Sequence, residues 1–230
     1  ALAKGAGAGR PSSEPPIAGQ ANIGLAGLGG MSAGAVRAVA RLADVGAVGQ
    51  RYAHTTKLFQ GQASRFIDKM PVNYLYAPLI AAALPNATLV HVSRNPMDSC
   101  FASYKQLFAD AYFHSYSLEE MARHHVRYRK LMERWHVLLG ERLMQVRYED
   151  LVSDVEVGAK ALIQHAGLEW APECLEFYRG GAVTTASAVQ VREKAHTRSV
   201  GKWRKFAEHL KPMQDILEMH GLLTHDENIS

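Results

Sequence analysis

Ala87-Thr-Leu-Val-His-Val-Ser93, followed directly by Arg94-Asn-Pro-Met-Asp98 and Ser99-Cys-Phe-Ala-Ser-Tyr-Lys-Gln-Leu-Phe108, decides the fold class of this chain. The first seven residues form a short apolar, β-rich run behind the turn signal Pro85-Asn86, and they predict a buried strand. Asn95-Pro96 supplies a tight turn, after which Asp98 or Ser99 offers the side-chain oxygen that caps a helix. In open α/β sheets, anions bind where the C-terminal end of a strand faces a helix N-terminus. An arginine at that point grips a phosphate through two parallel hydrogen bonds. On these residues alone, Arg94 is equally a surface arginine in a connecting turn.

Working outward, strands continue to alternate with helices. Val48 to Leu58 reads as a helix, Arg65-Phe-Ile67 as a strand and Val72 to Leu84 as an apolar helix whose Tyr, Leu and Ile positions face a core. Leu118 to Leu139 is a long amphipathic helix with a solvated charged face. Arg142 to Val146 is a strand, Val155 to Ala166 a helix and Pro172 to Tyr178 a short helix. Gly180 to Ser187 is a loop, and Lys202 to His209 and Pro212 to His220 are the last helices. This alternation predicts a mostly parallel sheet.

Composition agrees with one catalytic domain of 230 residues, long enough for a full α/β core. No apolar run reaches membrane-spanning length and no signal peptide is evident, so no membrane partner is expected. Two cysteines, Cys100 and Cys174, imply no disulfide framework and fit a reducing cytoplasm. A formal charge of +4 suits a small anionic ligand. The basic residues lack the aromatic interleaving of a nucleic-acid binder, and no nucleic-acid partner is expected. Among eleven histidines, His114, His124 and His125 cluster in or near the long helix without metal-ligand spacing, so no metal is expected.

Four segments together, Phe66-Ile-Asp-Lys-Met-Pro71, Arg94-Asn-Pro-Met-Asp98, Val146-Arg-Tyr-Glu-Asp-Leu-Val152 and Arg198-Ser-Val-Gly-Lys-Trp-Arg-Lys-Phe206, resemble the PAPS-dependent sulfotransferases. The likeness is greatest to the bacterial branch related to tyrosylprotein sulfotransferases, and it covers roughly residues 48 to 222; the order and spacing of the four motifs carry it. It implies an α/β, P-loop-NTPase-like three-layer sandwich with a mostly parallel sheet flanked by helices. It also implies transfer of a sulfuryl group from PAPS (3′-phosphoadenosine 5′-phosphosulfate), with no metal, to a hydroxyl acceptor: a peptide tyrosine, a sugar or a small phenol.

The resemblance also implies roles. Lys69 matches the lysine set against the transferring sulfonate, and Asp68 orients it. Arg94 matches the arginine on the 3′-phosphate. The family serine eight positions later is Ala102 here, with Ser103 one step on, rotated by roughly 100 degrees; Ser99 on the first helical turn is a substitute. Tyr148 lies near the nucleotide. Ser187, Arg192, Arg198, Gly201 and Lys202 belong to the region that closes over the adenosine and 3′-phosphate. Trp203 reads as core. No general base is assigned; upstream of Lys69 stand Glu14, Asp44, His54 and Asp68.

The N-terminal third departs from the pattern. Residues 1–31 read as a glycine- and alanine-rich arm or lead-in before a domain over residues 32–230. Asn22-Ile-Gly-Leu-Ala-Gly-Leu-Gly-Gly-Met-Ser-Ala-Gly34 carries three readings. One is a dinucleotide loop around Gly27-Leu-Gly29, another a divergent phosphosulfate loop without the family's Pro-Arg/Lys-Ser-Gly-Thr-Thr, and the third a glycine-rich linker. Two functional alternatives therefore stay open: an incomplete or non-catalytic nucleotide-binding scaffold, and a dinucleotide-dependent enzyme.

Overall fold

A computed structural model describes residues 44–60, 63–108, 112–179 and 194–223. The expectations for Asn22–Gly34, the Gly180–Ser187 loop, Ser187 and Arg192 lie outside the described residues. Helix α1 (Val45–Gln60) starts where the Asp44 side chain accepts from Ala47 N at 2.9 Å. A 3-10 turn, Pro71–Tyr76, leads into α2 (Ala77–Ala83). Strand β1 (Leu89–Ser93) feeds α3 (Pro96–Tyr104), and the long helix α4 (Leu118–Leu139) follows. Strand β2 (Leu143–Arg147) runs straight into α5 (Tyr148–Ser153) and then α6 (Val155–His165). The 3-10 segments Pro172–Arg179, Thr197–Ser199 and Lys202–Leu210 precede α7 (Lys211–Met219).

The helix limits follow from local chemistry. Ser117 caps α4 by accepting from Glu120 N at 3.3 Å, and two acidic residues in the first turn suit its positive end. Gly140, with a φ of +55°, stops α4 and turns the chain into β2. Asp154 caps α6 through Val157 N at 3.0 Å.

Strands β1 and β2 pair in parallel, in register from Leu89↔Leu143 to Ser93↔Arg147. The expected parallel order is present. The described residues, however, form a mostly helical body around two strands and not a complete three-layer sandwich. Two cores hold this body. One joins α3, α4 and α7 through Met97, Phe101, Met121, Trp203, Met213 and Leu217. The other joins α2, α4 and β2 through Ala77, Leu131, Met132, Trp135 and Leu143. Trp203 is buried in the first, as its sequence setting suggested.

Two expectations need correction. Arg65-Phe-Ile67 pairs with no strand among the described residues, and Ile67 is 93% exposed. Phe66 and the adjoining Asp68 engage α1, while Arg65 donates to the Ala166 carbonyl at the end of α6. Tyr52 Oη donates to Asp68 Oδ2 at 2.6 Å and stacks on Phe66 at 6.4 Å between ring centroids. Nor is β1 buried on both sides. Val90 and Val92 are 41% and 55% exposed, while His91 on the opposite face contacts α4. An unbroken apolar run predicts cover on both faces; the described residues cover one.

Candidate active site

Because β1 and β2 end at the same register pair, the residues that follow them, Arg94 and Tyr148, emerge side by side at the C-terminal edge of the sheet. The Arg94 guanidinium lies 4.7 Å from the centroid of the Tyr148 ring. A third segment closes on this pair from far along the chain: Arg94 Nη2 donates to the Ser199 carbonyl at 2.5 Å. Arg94 keeps 24% of its side chain in contact with solvent.

Asp98 fixes that third segment. It is 2% exposed, and its carboxylate accepts from Gly201 N at 2.6 Å and from Trp203 N at 3.3 Å. Arg94 Nη2 stands 4.0 Å from the same carboxylate. Asp98 therefore satisfies the first backbone N–H groups of the Lys202–Leu210 segment in place of a local cap. Gly201 has a φ of +68°, which glycine adopts without a side-chain clash and which turns the loop into this segment. The expected cap of α3 is corrected here: neither Asp98 nor Ser99 provides it. Asn95 Oδ1 accepts from Asp98 N at 3.1 Å, and Asp98 is thereby free to turn inward. Glu149 Oε1 accepts from Asn95 N at 2.8 Å and ties the two strand exits together.

Electrostatically, Arg94 and Lys202 meet a third cation that the sequence reading missed. Lys105 folds its ammonium back to 4.6 Å from the Phe101 ring centroid. Its pKa is held below the ordinary lysine value by burial first, then by the charges of Lys202 and Arg94, with Asp98 opposing. The signal in the sequence was its position: three residues beyond Ala102, the place where the family serine is missing, and so on the same helix face.

The structure thus brings together Arg94, Tyr148, Gly201 and Lys202, with Arg198 in the adjoining Thr197–Ser199 turn. Ser103, on the last turn of α3, is half-buried, and no hydrogen bond among the described residues ties its hydroxyl to this group. Lys69 is exposed on the segment between α1 and Pro71, and no contact among the described residues joins it to the Arg94 group. Asp68 does not hold Lys69: it accepts from Tyr52 Oη and, at 3.4 Å, from Asn73 Nδ2. The expectation that Asp68 orients Lys69 gives way to these two hydrogen bonds to α1 and to the Pro71–Tyr76 turn.

A second polar cluster lies against the buried face of β1. His91 Nδ1 and His136 Nε2 share a hydrogen bond at 2.9 Å, and His91 Nε2 bonds the Tyr128 hydroxyl. Nearby, Tyr74 Oη and His124 Nε2 are 3.5 Å apart, and the His114 and His124 rings stack at 3.6 Å. Burial lowers the pKa of His91 and His124 to about 4 and that of His125 to about 3, with neighbouring positive charge adding to the effect. Burial raises Tyr128 to about 12. These imidazoles are neutral at pH 7. Among the described residues, no group of three or more His, Cys, Asp or Glu is placed to hold a metal ion.

No helix among the described residues is long and apolar enough to cross a membrane. Residues 21–172 match the profile of the Sulfotransferase family. An uncharacterized protein of Aquifex aeolicus (strain VF5) is 31% identical over 176 residues, covering 74% of this chain and 23% of that relative. The chain spans about a quarter of that relative's length.

Proposed function

Because the chain belongs to the sulfotransferase family, we propose that it transfers a sulfuryl group from PAPS to a hydroxyl acceptor, whether a peptide tyrosine, a sugar or a small phenol. One observation carries the reading: Arg94, Tyr148 and the Ser199–Lys202 loop converge at the C-terminal edge of a parallel sheet, where anionic ligands bind in such folds. The parallel strand pair and the family match also support a P-loop-like three-layer sandwich for the whole domain. The match begins at residue 21 and takes in Asn22–Gly34, which favours a divergent phosphosulfate loop over a dinucleotide loop there.

In this reading, Arg94 and Lys202 hold the 3′-phosphate, and the Tyr148 ring keeps the guanidinium in plane. Arg198 and Gly201 close over the adenosine side together with Ser187 and Arg192, and Ser103 adds a hydroxyl from α3. PAPS supplies an activated sulfate bond, and no metal is required. The SO3 group passes to the acceptor oxygen, which gives up its proton, while the bridging oxygen stays with the departing bisphosphate. Charge grows on that oxygen and on the sulfonate oxygens, and Lys69 is the cation proposed to meet it. The test is calorimetric titration of the 230-residue chain with adenosine 3′,5′-bisphosphate, ATP and NAD. Preferential binding of the bisphosphate is expected; preference for NAD or ATP overturns the reading.

A second reading has its own support. No contact among the described residues joins Lys69 to the Arg94 group, and the usual phosphosulfate-loop residues are missing from the sequence. A chain that binds the bisphosphate but transfers no sulfuryl group to any of the three acceptor classes is a nucleotide-binding scaffold derived from the same family.

A further inference from the structure

We propose that Lys105 is a ligand of the 3′-phosphate, reaching the place that a hydroxyl at position 102 would occupy; this rests on the PAPS reading above. Ala102 is exposed on α3 and has no polar atom to offer, and Lys105 lies one turn further along the same face. Its side chain is exposed at the surface. It folds back toward the start of α3, as long helical side chains do, and its ammonium lies over the Phe101 ring. That ring packs at 5.0 Å on Phe206, in the segment that begins with Lys202. Lys105 therefore stands on the seam between α3 and the segment that Asp98 anchors.

Charge points the same way. Arg94 stands 4.0 Å from Asp98, the charges of Arg94, Lys202 and Asp98 all act on Lys105, and both Asp98 oxygens already accept backbone N–H groups. The three cations repel one another, and a phosphate dianion between them removes that repulsion. A lysine suits the position because a point charge on a flexible stem needs no fixed fork geometry to meet a phosphate. Arg94, with its planar fork held by Tyr148 and Ser199, supplies the directional contact.

The experiment is titration of the full chain with adenosine 3′,5′-bisphosphate and with adenosine 5′-phosphate. Lys105→Ala is expected to weaken the bisphosphate about tenfold or more, the scale of one lost charged hydrogen bond, and to leave the 5′-phosphate nearly unchanged. Lys211→Ala makes the same change of net charge on α7, where Lys211 pairs with Asp215, and is expected to alter neither. Adding Ala102→Ser to Lys105→Ala is expected to recover part of the loss. If Lys105→Ala binds the bisphosphate normally while Arg94→Ala does not, Lys105 is overturned and the PAPS reading stands. Equal weakening of both nucleotides also overturns the 3′-phosphate assignment. A wild-type chain that binds no bisphosphate overturns both.

Discussion

Two polar clusters share strand β1, three residues apart in sequence, and they meet the cost of burial in opposite ways. At the C-terminal edge, backbone groups from Ser199, Gly201 and Trp203 hydrogen-bond the Arg94 guanidinium and the Asp98 carboxylate. In the middle of the strand, His91, His136 and Tyr128 form a neutral network, because burial drives the imidazole pKa down and the phenol pKa up. A buried charge needs dense hydrogen bonding to persist. The Asp98 carboxylate has it, drawn from a distant part of the chain. The central cluster is hydrogen-bonded between neutral groups: its imidazoles give up their protons and its phenol keeps one. The first arrangement leaves surplus positive charge for a ligand; the second glues α4 to the sheet.

Acid should break this contrast most completely. Unfolded histidine takes up a proton near pH 6.5, whereas folded His91 and His124 do so only near 4. Between those values the unfolded chain binds more protons, so the contribution of these histidines is full above pH 6.5 and is lost as pH falls toward 4. The denaturant midpoint should drop steeply over that window. A flat profile from pH 7 to 4.5 would mean that the histidines are not held neutral.

Removing the edge anchor should have the next largest effect. Asp98→Ala leaves Gly201 N and Trp203 N without their acceptor, at about 1–3 kcal/mol each, so a loss of roughly 3 kcal/mol is expected in chemical denaturation. Bisphosphate binding should disappear with it. A loss under about 1 kcal/mol would show that the loop is held by other contacts.

Arg94→Ala sharpens the comparison further, since it removes a charge while Asp98 keeps the loop in place. The bisphosphate should weaken by about 1.5–3 kcal/mol and adenosine 5′-phosphate far less. Parallel losses for both nucleotides would take Arg94 off the 3′-phosphate. The smallest expected change belongs to Lys69→Ala, which should leave bisphosphate affinity nearly untouched because that product has no sulfonate. Where turnover is measurable, it should fall by roughly two orders of magnitude, as for loss of a charge-stabilising donor. A clear drop in bisphosphate affinity would place Lys69 on the nucleotide phosphates instead.

The edge cluster was the more legible of the two in the sequence. A strand, Asn-Pro and a helix put Arg94 where anions bind, and Tyr148 and Lys202 stand in family motifs. The inward turn of Asp98 was hidden, since an acidic residue in a first helical turn reads as a cap, and only the distant Gly201 loop reveals its use. Lys105 was hidden because a lysine at a helix end reads as an ordinary surface charge until its fold-back over Phe101 is seen. The long helix Leu118–Leu139 was fully legible, from strong 3.6-residue periodicity and a terminal glycine. Arg65–Ile67 misled because three apolar-rich residues satisfy a strand pattern without saying whether another strand lies beside them. The histidine network was invisible for the same reason: its partners lie 37 and 45 residues from His91, and no local spacing encodes them.

The bond from Gly201 N to Asp98 closes a loop of 103 residues, and that from Arg94 to Ser199 one of 105. Closing so long a loop costs entropy that only the finished structure returns. During folding, the core of Ala77, Leu131, Met132, Trp135 and Leu143 should form before the phosphate end does, and the nucleotide site should appear only once Trp203, Met213 and Leu217 have docked on α4. Breathing of that seam in the native protein would open the site while leaving the core intact. Ligand affinity and global stability should therefore respond to separate sets of substitutions, with Asp98 the residue common to both.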